Sequence, residues 1–76
     1  MTLTDILQRL PDEIGRYALT ITRFYNPEEE ETMWSFTYEN YELGTILEGC
    51  DINTIDFEDG ARKLFGWLCR HGHINL

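Results

Sequence analysis

Two stretches of alternating side chains, on either side of a run of four glutamates, constrain the fold of this chain more than any other feature. Residues 16–25 and 33–38 both change character with a period of two, which is typical of β-strands that bury one face. The residues predicted to share one face are Tyr17, Leu19, Ile21 and Tyr25 on the first stretch and Trp34, Phe36 and Tyr38 on the second. Because Asn26-Pro27 opens the intervening loop, the pattern predicts an antiparallel hairpin whose loop contains Glu28, Glu29, Glu30 and Glu31.

The segments that flank this hairpin have apolar residues at helical spacing. A first helix is predicted over residues 3–10, where Thr2 and Asp5 form a capping-box signature. Asp56 is placed to cap a second helix over residues 57–71, whose apolar arc consists of Phe57, Ala61, Leu64, Phe65 and Leu68. Residues 11–15 are predicted to form a turn, and residues 41–47 a weaker third strand that Gly44 interrupts and a short linker follows.

The predicted element order is α-β-β-β-α, which belongs to the α+β class. Its simplest arrangement is a three-stranded antiparallel sheet with the helices packed on one face. A chain of 76 residues has room for one hydrophobic core, so residues 1–76 are predicted to form a single domain. Hydrophobic residues make up 42% of the chain and aromatic residues 13%, which is far more than an acidic disordered chain would contain.

The charge of the chain restricts the classes of partner. Fourteen acidic residues and six basic residues give a net charge of −8. This charge repels phosphates and anionic membrane surfaces at long range, so direct binding to nucleic acid or to a membrane is not expected. The same field attracts a basic protein or a nucleoprotein complex. A small core also leaves self-association into a homodimer open.

Location and cysteine chemistry follow from two further observations. No apolar run reaches the roughly 18 to 20 residues that span a bilayer, and the first residues lack the pattern of a signal peptide. A cytoplasmic location is therefore expected, which for a phage-encoded protein means the cytoplasm of the host. Cys50 and Cys69 are too few and too isolated for a secreted disulfide framework, so both are predicted to be reduced thiols.

Neither a metal site nor a catalytic site is predicted. Cys69, His71 and His73 alternate near the C-terminus, but alternating residues at a helix end diverge, and no second close pair of zinc ligands accompanies them. Cys69 also lies near the negative end of the predicted helix, which disfavours a thiolate. The carboxylates are spread over loops and helix starts without an apolar pocket around them. We therefore expect no cofactor and no enzymatic activity.

The candidate partner-binding residues are carboxylates near strand ends and tyrosines. The four glutamates of the hairpin loop can engage arginine and lysine of a basic cleft through charge-assisted hydrogen bonds, or can serve only to keep a β-edge soluble. Further candidate carboxylates near strand ends are Glu39 and Glu42. Tyr17, Tyr25 and Tyr41 are predicted to be exposed contact residues, because tyrosine combines a large apolar area with a polar tip.

The small size, the acidity, the leading helix, the acidic hairpin and the closing helix together resemble the small phage-encoded anti-CRISPR inhibitors. Several of those viral proteins resemble nucleic acid electrostatically and block the DNA-binding site of an effector. A second resemblance is local: Gly49-Cys50, followed by residues 56–61 at the start of a helix, is similar to a segment of HicB-type antitoxins. That resemblance would imply a small basic toxin as the partner.

These observations lead to one principal hypothesis and two alternatives. The principal hypothesis is an acidic inhibitor or decoy that occupies a basic, nucleic-acid-binding surface of a larger effector complex. The alternatives are an antitoxin that neutralises a small basic toxin and a non-catalytic adaptor subunit. The inhibitor and the antitoxin predict salt-sensitive binding, whereas an adaptor could bind through apolar contacts with little salt dependence.

Overall fold

The computed structural model describes residues 1–74 and confirms the α+β class. Its elements, in chain order, are α1 (Leu3–Arg9), β1 (Glu13–Ile14), β2 (Tyr17–Asn26), β3 (Glu31–Asn40), β4 (Thr45–Thr54) and α2 (Phe57–Arg70). The predicted capping box of α1 is present, since the Thr2 hydroxyl accepts from the backbone N–H of Asp5 and the Asp5 carboxylate accepts from that of Thr2. In the described part of the chain, no helix is both long and apolar enough to cross a membrane.

The sheet has four antiparallel strands in the order β1-β2-β3-β4, so the prediction of three strands is wrong. The additional strand is Glu13–Ile14, which pairs with the start of β2 across a tight turn. Gly15 in that turn has φ +62°, a left-handed conformation that glycine adopts without strain. A strand of two residues is too short to show any periodicity, which is why the sequence indicated only a turn there.

The predicted third strand is displaced along the chain. Residues 41–44 form a turn instead, in which the Asn40 side-chain oxygen accepts from the backbone N–H groups of Glu42 (3.0 Å) and Leu43 (3.2 Å). The strand itself, β4, starts at Thr45 and continues to Thr54, through residues that the sequence indicated as a linker. The turn is therefore built by an asparagine that can satisfy two backbone donors, a local preference that outweighs the strand pattern.

An irregularity in β4 explains why its second half was missed. The pairing of β3 with β4 shifts register between Thr37 and Glu39. Gly49, which lies in this part of β4, has φ +82°. Extra residues on one strand of a pair reverse the face on which the following side chains lie. The alternation of apolar and polar side chains is consequently lost at the point where the strand continues.

The core lies against one face of the sheet, here called the core face, which carries Phe36 and Tyr38. Both side chains are fully buried. Helix α2 packs on this face, with the Phe57 ring 4.8 Å from that of Trp34 and 5.2 Å from that of Phe36, measured between ring centroids. The other buried apolar residues of the same cluster are Ile6, Leu10, Cys50, Ala61, Leu64 and Leu68. The predicted apolar arc of α2 is thus confirmed, with Phe57 and Phe65 half-buried at its margins.

Two buried groups make the stability of the fold sensitive to alkaline pH. Burial raises the pKa of the Cys50 thiol to about 11 and also raises the pKa of the Tyr38 hydroxyl, which donates to the Pro11 carbonyl at 2.9 Å. In the unfolded chain these groups ionise at about 8.5 and about 10. Both pKa values are higher in the folded protein than in the unfolded chain. Above about pH 8.5 the unfolded chain therefore binds fewer protons than the folded protein, and the free energy of unfolding falls as the pH rises.

We therefore expect the melting temperature to be constant up to about pH 8 and to fall between about pH 9 and pH 11. Circular dichroism melts at a series of pH values measure this fall. The Cys50→Ala variant should show a smaller fall over the first half of that range, because one of the two groups has been removed. An equal fall in both proteins would contradict the contribution assigned to Cys50.

Candidate partner-binding surface

The hairpin between β2 and β3 presents four consecutive glutamates, three in its connecting loop and one at the start of β3. Residues 27–30 connect the strands, and Glu31 begins β3 opposite Asn26. The Asn26 side-chain oxygen accepts from the backbone N–H of Glu28 at 3.0 Å, which fixes the start of the turn. All four glutamates are exposed. This group, Glu28 to Glu31, is called the acidic loop below.

The acidic loop is costly to maintain in two respects. Glu30 has φ +56°, a left-handed conformation that costs a non-glycine residue about 1 kcal/mol or more. Its like charges also lack compensation: within residues 1–74, the ion pairs are Glu58–Arg62 (3.0 Å) and Asp59–Lys63 (2.9 Å), both on α2. The negative charge of the loop is therefore exposed to any approaching partner.

Aromatic and apolar side chains lie directly beside the acidic loop. Tyr25, near the end of β2, is 60% exposed, as predicted for a contact residue. Ile21 and Phe24 are also exposed on β2, and Phe24 is paired across the sheet with Met33. Since side chains alternate along a strand, Ile21 and Tyr25 share the core face and Phe24 lies on the opposite face. The hairpin thus offers negative charge and apolar area together.

The remaining predicted carboxylates and Tyr41 lie at the other end of the sheet. Tyr41 and Glu42 are exposed in the turn between β3 and β4, and the Tyr41 hydroxyl is 3.0 Å from that of Thr20. Glu39 is half-buried and paired with Ala18. Strands of ten residues separate this turn from the acidic loop by about 30 Å. The structure therefore divides the predicted site residues between two ends of the sheet.

Tyr17 differs from the expectation that it is an exposed contact residue. It is half-buried and packs against the hydrophobic core. The reason is the unpredicted strand β1, because Ile14 pairs with Tyr17 and itself packs against the core. A shallow groove of about 540 Å³ lies next to this hairpin, lined by Glu13, Gly15, Arg16, Ala18, Asn40, Tyr41 and Glu42.

Three acidic residues that the sequence did not assign to the site lie at the same end of the sheet as the acidic loop. They are Asp56, Glu58 and Asp59 at the start of α2. Trp34 pairs with Thr54, so the end of β4 and the start of α2 lie beside the start of β3. An open groove of about 560 Å³ in this region is lined by Met33, Asn53, Thr54, Ile55, Asp56, Asp59 and Lys63. A correct prediction of where β4 ends would have placed the start of α2 beside the start of β3.

The carboxylates at the start of α2 already have partners, in contrast with those of the acidic loop. The Asp56 side chain accepts from the backbone N–H of Asp59 at 3.0 Å, and Glu58 and Asp59 form the ion pairs described above. A capping carboxylate and two helical ion pairs have structural roles of their own. They add to the negative field at this end of the sheet, while the acidic loop remains its unpaired part.

The cysteines and histidines are not grouped as ligands of a metal. Cys50 is buried and Cys69 is half-buried, and both are free thiols. The His71 ring stacks on Trp67 with 4.2 Å between centroids, and the His73 ring is 5.7 Å from the same indole. Over residues 1–74, no group of three or more histidine, cysteine or acidic side chains is placed to hold a metal ion.

The acidic loop and the adjacent end of β2 are therefore the strongest candidate site in the described chain. They combine exposed carboxylates, an exposed tyrosine and further apolar side chains on one hairpin. Such a combination suits a partner surface that is basic and partly apolar. Comparisons of the chain with protein-family models, with curated proteins and with solved structures found no match.

Proposed function

We propose that this protein binds a basic, nucleic-acid-binding surface of a larger protein or nucleoprotein complex and inhibits it as a decoy. The observation that carries the proposal is the acidic loop, which is exposed and takes part in neither of the ion pairs of residues 1–74. In this proposal the protein has no catalytic role, does not bind nucleic acid directly and acts in the cytoplasm.

The density of charge on the loop supports mimicry of a nucleic-acid backbone. Four consecutive residues span at most about 11 Å of chain, which corresponds to one carboxylate per 3.6 Å or less. One strand of DNA carries about one phosphate per 3.4 Å along the helix axis. A cleft rich in arginine and lysine that binds nucleic acid therefore meets a comparable density of negative charge on this loop.

The fold supports the presentation of this loop. Ile6 of α1 and Leu10, the C-cap residue of that helix, are buried in the same cluster as Phe36 and Tyr38. This burial favours the arrangement proposed from the sequence, in which both helices cover one face of the sheet. Such an arrangement leaves the opposite face, with Phe24 and Met33 near the acidic loop, free to contribute apolar area to the interface.

The proposal predicts that replacing Glu28, Glu29, Glu30 and Glu31 by glutamine weakens partner binding without unfolding the protein. The probe is a basic, nucleic-acid-binding protein that wild type captures from host extract and from which wild type displaces nucleic acid. The affinity of the quadruple variant should fall by tenfold or more, about 1.4 kcal/mol, and its association rate should depend less on salt. Association and dissociation rates from low to high salt measure both effects.

A matched control separates local recognition from net charge. Replacing Glu48 and Asp51, both exposed on β4, by their amides removes two charges away from the acidic loop, and the matched loop variant is Glu29→Gln combined with Glu30→Gln. This control should keep most of the affinity and should still displace nucleic acid. Equal losses in the two variants would mean that only net charge matters. Equal affinities and salt slopes for wild type and the loop variant would mean that the loop is a solubility device and would favour an adaptor.

A further inference from the structure

The outer edge of β2 is unpaired along most of its length. β1 pairs with β2 only at Tyr17 and Ala18, and the backbone N–H of Leu19 donates to the carbonyl of Asp12 at 2.9 Å. Beyond that point, no strand of residues 1–74 pairs with this edge. The free edge, residues 20–26, is about 23 Å long.

The pairing fixes which backbone groups this edge exposes. In an antiparallel ladder, alternate residues direct both backbone groups towards the same neighbour. Since Leu19 bonds towards β1, the residues at steps of two beyond it, Ile21, Arg23 and Tyr25, also direct their N–H and C=O groups outwards. Three consecutive pairs of donors and acceptors are thus available to an added strand.

The two long edges of the sheet differ in ways that concern strand addition. On β4, the other edge, the ladder is interrupted by the register shift and by Gly49, and Glu48 and Asp51 add charge. Bulges and charged side chains are devices by which proteins block edge pairing. The pairing of β2 with β3 is continuous from Ala18 to Asn26, and the free part of β2 carries one charged residue, Arg23.

Exposed apolar side chains line both faces of the β2 edge, and acidic residues lie at both of its ends. Ile21 and Phe24 are more than one-third exposed, and Tyr25 is 60% exposed. The acidic loop follows one end, and Asp12 and Glu13 lie at the other. A strand added here would meet the apolar side chains of Ile21, Phe24 and Tyr25 on either side of Arg23, and negative charge at each terminus.

This charge distribution favours a basic segment over a second copy of the chain. Two copies paired antiparallel with the outward groups in register would place Arg23 opposite Arg23, and each copy carries a net charge of −8. Like charges directly opposite each other destabilise a strand pair. A segment with an apolar centre and basic ends has the complementary pattern.

We infer that the free edge of β2 binds an extended segment of the partner as an additional β-strand, with apolar side chains beside Ile21, Phe24 and Tyr25 and basic side chains at its ends. The inference rests on the proposed function, because a basic partner supplies the segment. The backbone hydrogen bonds of the added strand would fix the position and direction of the partner segment. They would act together with the charge attraction of the acidic loop.

A synthetic peptide of sequence Lys-Lys-Val-Thr-Val-Thr-Val-Lys-Lys tests this inference on the whole protein. Binding should protect the amides of Ile21, Arg23 and Tyr25 from hydrogen exchange and leave the outward amides of β4 unchanged. The same peptide with alternate backbone amides methylated keeps its charge but loses the donors along one edge. Two such peptides are possible, one for each set of alternate amides, and only one set can face β2. The affinities of the two methylated peptides should therefore differ by tenfold or more. Equal affinities for both registers and the parent peptide would overturn the inference.

Two variants at one position provide the matching test on the protein side. Arg23→Pro removes an outward N–H that the fold does not use, and proline is tolerated on edge strands, whereas Arg23→Ala removes the side chain and keeps the N–H. Arg23→Pro should reduce peptide affinity by tenfold or more, and Arg23→Ala should retain it. If Arg23→Pro does not fold, the difference in affinity between the two methylated peptides tests strand addition instead.

The remaining outcomes separate this inference from the proposed function. Loss of partner binding in the acidic-loop variant, with full binding by a folded Arg23→Pro, would uphold the decoy function and overturn strand addition. Sedimentation that shows a wild-type dimer and a monomeric Arg23→Pro would assign the edge to a second copy and also overturn it. Protection of the β2 amides by the peptide, without any displacement of nucleic acid from a basic protein, would uphold strand addition and count against the decoy.

Discussion

Replacing Leu64 by alanine is expected to lower the free energy of unfolding by about 2–5 kcal/mol, a large part of the stability of a domain this small. Leu64 is fully buried on α2, in the cluster that also holds Phe36, Tyr38 and Leu68. Removing most of its side chain leaves a cavity between the helix and the sheet that rigid aromatic neighbours cannot fill. Urea titration followed by circular dichroism measures the loss.

Arg62, on the opposite side of the same helix, provides the control. Its guanidinium pairs with Glu58 and donates to the carbonyl of Met1 at 3.1 Å, and both side chains of the ion pair are about half exposed. Exposed helical ion pairs contribute little, so Arg62→Ala should cost less than about 0.5 kcal/mol. If Arg62→Ala proved more destabilising than Leu64→Ala, the assignment of the buried face of α2 would be wrong.

The parts of the fold that the sequence predicted correctly are those with long, regular patterns. The β2–β3 hairpin has two strands of ten residues, and larger apolar side chains alternate with small or polar ones over residues 17–22 of the first and 34–39 of the second. α1 and α2 combine apolar spacing with capping side chains, Thr2 and Asp56, that accept backbone hydrogen bonds. Agreement between periodicity and end signals fixes both the type and the limits of an element.

The parts that the sequence did not predict lack such a pattern. β1 is two residues long, and β4 is divided by a change of register near Gly49. In both cases, period-two alternation does not extend over the whole segment. The predicted third strand ended at Leu47, whereas β4 continues through Gly49, which marks an irregularity within the strand.

The candidate site was predictable in its chemistry but not in its layout. Local sequence indicated that Glu28 to Glu31 lie in an exposed loop and that Tyr25 is exposed; all five side chains are exposed, although Glu31 is the first residue of β3. The separation of Tyr41 and Glu42 from that loop depends on where β4 begins, which the sequence misplaced. The free edge of β2 depends on the shortness of β1, a property of the assembled sheet that no local pattern encodes.

Two glycines in α2 are expected to respond in opposite ways to the same substitution. A Cβ built on Gly60 would lie 2.5 Å from the Thr54 hydroxyl and 2.9 Å from Cδ1 of Phe36, both on the sheet beneath the helix. Phe36 is fully buried and the Thr54 hydroxyl is engaged with the carbonyl of Asp56, so neither can move aside freely. A Cβ on Gly66 would meet only the flexible end of Arg70, at 3.2 Å.

The close approach of α2 to the sheet therefore makes Gly60 a packing residue and leaves Gly66 replaceable. Alanine stabilises a helix interior by about 1 kcal/mol relative to glycine, so Gly66→Ala should raise the free energy of unfolding by up to that amount. At Gly60 the overlap of the added Cβ with Phe36 and Thr54 should outweigh this gain, because overpacking costs about 3 kcal/mol when neighbours are rigid. Gly60→Ala should therefore lower the free energy of unfolding by about 2 kcal/mol or more. Urea titrations of the two variants beside wild type measure both changes. A gain of stability in both would mean that α2 lies further from β3 and β4 than the structure places it.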